Sequence, residues 1–374
     1  MGESYALGVM SGSSLDGLDF ALCRFVYSDE QDSFYIQSWE IIESETFELS
    51  VFWQDRLLKA YQTSAKEMWL AHNTFGKYIG EQALLFLRRT QIVPDFIASH
   101  GHTVFHEPQN HMTLQIGNGA AIAAVTGLPV ISDFRSTDVA LGGQGAPMIP
   151  IAESKLFAGF PLCLNIGGIT NLSARIEGHY VAFDISPANQ VMNKLASQSG
   201  QAYDQDGLTA RSGKLQPELN TALKRLDYFS TPYPKSLDNN WVMRDLWPVI
   251  KSFDFSAADK LNTFCEFIAD RLSAEIKNIC TRENTSFEGA QMLVTGGGAL
   301  NQYLVECISE RCSKENGVEV VLPELQIIEF KEALLMALAG LLRVKNIPNF
   351  LSSVTGASMD SIGGCIYQGT RHLI

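Results

Sequence analysis

Two stretches of one kind, their glycine tips 155 residues apart, constrain what this chain can fold into. In residues 5–25 (YALGVMSGSSLDGLDFALCRF) an apolar run gives way to small, flexible and acidic residues and then to a second apolar run. This is the pattern of strand, tight loop and strand. Residues 160–176 (FPLCLNIGGITNLSARI) repeat it, and a third strand follows in YVAFDIS. Glycine tips admit backbone conformations closed to other residues and let successive N–H groups converge on an anion. A single tip of this kind is an ordinary surface turn. Two at domain spacing, each opening about half of the chain, predict duplicated α/β domains facing one another across a cleft. A chain of 374 residues, 46% of them apolar, supplies two cores.

The net charge of −13 disfavours a nucleic-acid surface and points to small-molecule chemistry. Seven scattered cysteines without a C-x-x-C suit reduced thiols in a cytoplasm. The N-terminus carries no basic leader, and no apolar run approaches the roughly 18 residues of a membrane span. A soluble cytoplasmic protein is expected.

Between the repeats, residues 34–47 read as a further strand and 50–87 as helix. Residues 96–99 are a short buried strand leading into a histidine-rich run. The glycine-rich, charged run VISDFRSTDVALGGQGAPMIP is the first candidate for a domain crossing. This places one domain at residues 1–135, completed by about 345–374, and the second at 136–344. Residues 203–207 and the run YFSTPYPKSLDNNWVMRDLW read as irregular loop or lid. Residues 260–277 read as an amphipathic helix burying Phe264, Phe267, Ile268, Leu272 and Ile276, and QMLVTGGGAL as a strand entering a helix through three glycines.

Candidate chemistry gathers at these features. No lysine follows the first tip as a P-loop requires, so a phosphate cradle there rests on backbone amides and on the hydroxyls of Ser11, Ser13 and Ser14, around Gly12 and Gly17. Asp16 and Asp19 suit a hydrated Mg2+ riding on phosphate, with Asp16 binding through water. His100, His102, His106 and His111 lie close together, which raises zinc or iron ligation, but without an acidic partner set they read better as a pocket edge. Arg135 is a fixed fork for carboxylate or phosphate, or else the partner of Asp133 or Asp138 in a surface pair. Asp184 ends the third strand of the repeat, where open α/β sheets place ligands, or caps the helix that follows. Glu332, near the start of an apolar helix, either favours the helix dipole or points into the cleft.

The ordered motifs MSGSSLDG, SHGHTVFHEP, DFRSTDVALGGQGAPMIP, NIGGITNL, FDISPAN, TGGGALN and VTGAS resemble those of the anhydro-N-acetylmuramic acid kinases over essentially the full length. The resemblance implies two ribonuclease-H-like domains of the actin, Hsp70 and hexokinase superfamily, with ATP and Mg2+ in a central cleft and a homodimer. It also implies a reaction: water opens 1,6-anhydro-N-acetylmuramic acid and O6 receives the γ-phosphate, giving N-acetylmuramic acid 6-phosphate and ADP in peptidoglycan recycling. Under it Asp184 is the catalytic base. Ser11, Gly12, Ser13, Ser14, Leu15, Asp16, Gly17, Leu18 and Asp19 hold the ATP phosphates, Gly167, Gly168, Thr170 and Asn171 lie opposite, and Gly296, Gly297 and Gly298 lie beside the adenosine. His102, Arg135, Asn189 and Glu332 contact the sugar. The chain departs from the family pattern in Ser13 for Thr, His102 for Gln, and Asp184-Ile-Ser-Pro-Ala-Asn189 for D-T-G-P-G-N; Asn193 stands where Asp is common. Three rivals are another sugar kinase of the superfamily, a non-catalytic Hsp70-like nucleotide-binding module, and a metal-dependent hydrolase built on His100, His102 and His106.

Overall fold

The structure, a computed structural model, describes residues 1–12, 15, 17–30, 33–177, 179–237 and 239–370. Two compact units divide it, one of Met1–Phe157 with Phe330–Ile374 and one of Ala158–Glu329.

The first unit carries β1 (Gly2–Ser11), β2 (Gly17–Glu30), β3 (Ser33–Glu48), β4 (Phe96–Ser99), β5 (His102–Glu107), β6 (Met112–Ile116) and β7 (Val130–Ser132). The second carries β8 (Leu162–Ile166), β9 (Ile169–Ile176), β10 (His179–Pro187), β11 (Gln291–Thr295) and β12 (Glu319–Val321), and β13 (Cys365–Tyr367) returns to the first. The sheet of the first unit runs β13-β7-β4-β1-β2-β3, and that of the second runs β10-β9-β8-β11-β12. In each, three antiparallel strands form a meander whose first strand then pairs in parallel with a later one: β1 with β4, and β8 with β11. The duplication expected from the two glycine tips is therefore present as a repeated ribonuclease-H-like strand order. β1 and β8 sit inside their sheets, which is why both read as nearly unbroken apolar runs.

Helix Ala65–Thr90 of the first unit begins at a capping box, Ser64 with Glu67, and buries Phe75, Ile79, Ala83 and Phe86. It is separated from helix Val51–Leu58 by a short break, where the sequence reads as one helix. Helix Ala257–Arg282 forms the floor of the second unit and buries all five residues expected on its inner side. The run YFSTPYPKSLDNNWVMRDLW, expected to be irregular, is helical from residue 239 onward.

The unit boundaries differ from those expected at 135/136 and near 345. The glycine-rich run after Arg135 is not a crossing because it folds around a buried carboxylate. Asp138 is fully buried and accepts hydrogen bonds from the Gly145 N–H (2.7 Å) and the Thr355 hydroxyl (2.8 Å). At the other end, Lys331 pairs with Glu153 (3.5 Å) and Arg343 donates to the Gly364 carbonyl (2.7 Å), tying residues 330–344 to the first unit.

Candidate active site

Each unit has its own cavity. That of the first, about 400 Å³, lies where β1 ends and is lined by Ser11, Gly12, Leu15, His102, Arg135 and Glu332, with Leu57, Leu58 and Tyr61 as an apolar wall. Leu15 takes a positive φ of 59° at the turn of the tip. Gly17 opens β2 under tight packing, for a Cβ there would lie 2.4 Å from Thr46 Cγ2. Its need for glycine is thus cross-strand packing before any ligand is considered. Leu18 is fully buried in the core and offers a ligand only backbone. Asp19 accepts a hydrogen bond from the Thr46 hydroxyl (2.6 Å) across the β2–β3 pair. Ser13, Ser14 and Asp16 lie outside the described residues.

The histidine run does not continue strand β4. The chain turns at Gly101 (φ 72°), so His100 and His102 occupy different elements yet meet around one site. Arg135 Nε donates to His100 Nε2 (2.9 Å), and since that nitrogen accepts, Nδ1 carries the proton and donates to the Gly101 carbonyl (2.9 Å). Both ring nitrogens are committed to these bonds, so His100 has none to give a metal. Burial first, then the Arg135 charge, holds His100 down at about 3, a neutral acceptor at any ordinary pH. His102 Nδ1 lies 3.3 Å from Ser11 Oγ, and burial depresses its pKa too. Arg135 pairs with neither Asp133 nor Asp138. Burial lowers its pKa while the Glu332 charge acts the other way. Glu332 opens onto the cavity but is crowded by protein, and lost hydration together with the nearby Asp19 pushes its carboxyl above the usual range. The lining thus holds a guanidinium, two imidazoles and one carboxylate, a set suited to a small, highly oxygenated ligand.

In the second unit Asp184 sits at a bulge in β10, where register with β9 slips between Asp184 and Ser186. Its Oδ1 accepts from Asn171 Nδ2, its cross-strand partner, and its Oδ2 from the Leu237 N–H (2.7 Å). The backbone is gripped as well, since Tyr228 donates its hydroxyl to the Asp184 carbonyl (2.7 Å) and the Asp184 N–H reaches the Lys235 carbonyl (3.4 Å). Burial raises the Asp184 pKa, and the two donors partly offset it. Asp184 does not cap the following helix Asn189–Ala196, which has no side-chain cap. Leu237, Tyr228 and Lys235 were legible only as loop residues, and no sequence signal assigns them to Asp184.

The cavity of the second unit, about 700 Å³, is lined by Asn189, Asp204, Gly297, Gly298, Asn301 and Ile328, among others. Its glycines divide by need. Gly296 (φ 84°) and Gly298 pack on β8, a Cβ on Gly298 meeting Ile166 Cγ2 at 2.2 Å, whereas a Cβ on Gly297 would find its nearest neighbour at 3.8 Å. Gly297 therefore has room for a side chain beside Asn189, so packing does not demand glycine there. Asn189 belongs with these glycines and not with His102, Arg135 and Glu332, the group expected to share the sugar with it. Its N–H bonds the Gly167 carbonyl (3.1 Å), and Ala188 N–H bonds that of Gly168 (2.8 Å). Ala188, where the family pattern has glycine, keeps a negative φ, so handedness does not demand glycine there. The Thr170 hydroxyl is enclosed and has no hydrogen-bond partner among the described residues. Among the described residues no cluster of three or more metal-ligating side chains exists, and no helix is long and apolar enough to cross a membrane.

The family model described as anhydro-N-acetylmuramic acid kinase matches residues 4–369. A protein of that name from Vibrio cholerae is 32% identical, covering 96% of this chain and 97% of its own length. Relatives so named from Nitrosospira multiformis and Sulfurimonas denitrificans are 32% and 33% identical, each over 98% of this chain and the whole of their own. These relatives place the two-unit α/β chain among the kinases, phosphotransferases with an alcohol group as acceptor. Within that class, the chain belongs to the anhydro-N-acetylmuramic acid kinase family.

Proposed function

We propose that this kinase opens the anhydro bridge of 1,6-anhydro-N-acetylmuramic acid with water and phosphorylates the freed O6, yielding N-acetylmuramic acid 6-phosphate and ADP for cell-wall recycling in the cytoplasm. The observation that carries the reading is the setting of Asp184. Among the described residues each carboxylate oxygen accepts one donor, Asn171 Nδ2 on Oδ1 and the Leu237 N–H on Oδ2, and a carboxylate oxygen can accept a water as well. Burial makes it a stronger base than a surface carboxylate, while the Leu237 N–H and Asn171 favour its ionised form. Asp184 takes the proton of the water that attacks the anomeric carbon. Bond opening leaves O6 as the oxygen that attacks the γ-phosphoryl group. Arg135, held by neutral His100, directs its remaining donors at the sugar, and His102 and Glu332 complete its polar contacts. Open Gly297, with Asn189 beside it, supports nucleotide in the second cavity.

Mg2+ asks for one or two carboxylates plus waters and phosphate oxygens. Asp19 beside Glu332, with each carboxylate disfavouring charge on the other, is a donor set that suits it, with Asp16 as a further ligand through water. When bound, the ion neutralises phosphate charge. The test is product analysis with purified protein, Mg-ATP and the anhydro sugar. A ring-opened sugar phosphorylated at O6 is expected. ADP release without a sugar phosphate, or a phosphorylated sugar still bridged, would overturn the reading.

A further inference from the structure

Loop 228–237 does more than border the second site, because it touches Asp184 at three atoms: carbonyl, N–H and carboxylate. What fixes the loop lies on its other side. Lys235, whose carbonyl meets the Asp184 N–H, sends its side chain into the floor of the unit, where Nζ pairs with Glu275 Oε1 at 2.8 Å. Both side chains are almost wholly enclosed, at 3% and 2% exposure. Glu275 also accepts from Arg271 (3.0 Å) and from Asn278 (3.0 Å), and Arg271 reaches on to the Phe229 carbonyl (3.2 Å). Lys235 Nζ lies 4.9 Å from the centre of the Tyr228 ring, the same tyrosine that holds the Asp184 carbonyl. Further along, Arg282 donates to the Tyr233 carbonyl (2.6 Å) and stacks on its ring at 3.9 Å. The Lys235–Glu275, Arg271–Phe229 and Arg282–Tyr233 ties join the loop to helix Ala257–Arg282.

A buried ion pair adds little stability over an apolar pair of like volume, so stability alone does not account for it. From this network we infer that the Lys235–Glu275 pair is the anchor that positions Asp184, acting through the loop that supplies its Leu237 donor. The inference rests on the reading of Asp184 as general base. Lys235 and Glu275 are positioning residues, since neither needs to touch the sugar or the nucleotide. Among the described residues, the charged and titratable groups facing the loop are Arg271, Glu275 and Arg282 from the helix, Glu283 just beyond it with its partner His179 of β10, Asp184 from β10, and Tyr228, Tyr233 and Lys235 of the loop itself.

The experiment uses the full chain with Lys235→Met, and with Lys235→Met combined with Glu275→Gln. The double variant strands no carboxylate in the core and keeps an acceptor for Arg271, so it carries the test if the single one does not fold. The expected result is a fall in kcat on the order of tenfold to a hundredfold with the KM for ATP unchanged, the cost of a misplaced base. The acid limb of the kcat/KM profile for the sugar also moves to higher pH, because a carboxylate that loses an N–H donor to its charged form binds its proton more tightly. Loss of thermal stability alone, with kcat per folded molecule and the acid limb as in the parent, would overturn the inference. Asp184→Asn is assayed alongside to separate two failures. If Asp184→Asn keeps turnover, the base reading falls and takes the anchor with it. If it is inactive while both Lys235 variants titrate as the parent does, only the anchor falls.

Discussion

The two units use one strand order but place their carboxylates on different strands. In the first, Asp19 of β2 accepts from Thr46, its register partner on β3; in the second, Asp184 of β10 accepts from Asn171, its register partner on β9. The acid stands on the second strand of one meander and on the third of the other. Their surroundings differ as well. Asp19 stands close enough to Glu332 to raise its pKa, a pairing that favours a cation, whereas Asp184 is alone among neutral donors and half-buried, a setting that favours proton transfer. The repeated strand order thus does not fix which strand carries the carboxylate, and under the proposed function its neighbours decide whether it serves a metal or takes a proton.

The sharpest way to break this comparison is Asp184→Asn, which keeps the shape but removes the base. Turnover should fall by about 10²–10⁴-fold in a steady-state assay, with the folded spectrum retained. Near-parent turnover would remove the distinction between the two acids. Next in size, Arg135→Lys loses the Nε bond to His100 and the planar fork. The KM for the sugar should rise roughly tenfold or more, with a smaller change in the KM for ATP, and equal changes in both would deny the first cavity its sugar role.

A smaller contrast comes from neighbouring glycines. Gly297→Val should leave the melting temperature near that of the parent and weaken nucleotide binding by roughly tenfold in a titration, about 1.4 kcal/mol. Gly298→Ala should instead destabilise the fold by about 1–3 kcal/mol, because its Cβ meets Ile166. A last contrast concerns acid and leaves stability at neutral pH unchanged. His100 binds its proton at about 3 in the folded chain against 6.5 ordinarily, so the unfolded chain is the one that gains a proton as pH falls. Its contribution to stability is intact above 6.5 and is lost progressively between 6.5 and about 3. His100→Gln, which cannot titrate, should flatten that part of the stability curve in denaturant titrations.

Much of the framework was legible because apolar periodicity reports local burial. Strand β4, helix Ala257–Arg282 and both glycine tips follow from their own residues. What escaped depends on partners distant in sequence. Asp138 read as a surface partner for Arg135, yet it is buried under Thr355, and its loop read as a domain crossing for the same reason. The run holding Lys235 read as a lid because prolines and polar residues look alike whether they cover a site or support one; its anchor, Glu275, lies 40 residues further on. Gly17 read as a phosphate glycine, and only the neighbouring β3 strand reveals its packing requirement. Asp184, Arg135 and Glu332 stood out as candidates from their own positions, and the family resemblance gave them roles, but neither supplied the tautomer of His100 or the donors that hold Asp184.

The most direct measurement is turnover in ¹⁸O-labelled water, with parent and Asp184→Asn proteins compared by mass spectrometry of the sugar product. The account predicts one heavy oxygen, bonded to the anomeric carbon, in the 6-phosphorylated product of the parent, and a product signal reduced by orders of magnitude in the variant. A phosphorylated product free of label, or a variant that labels at the parent's rate, would contradict the claim that Asp184 activates the water that opens the ring.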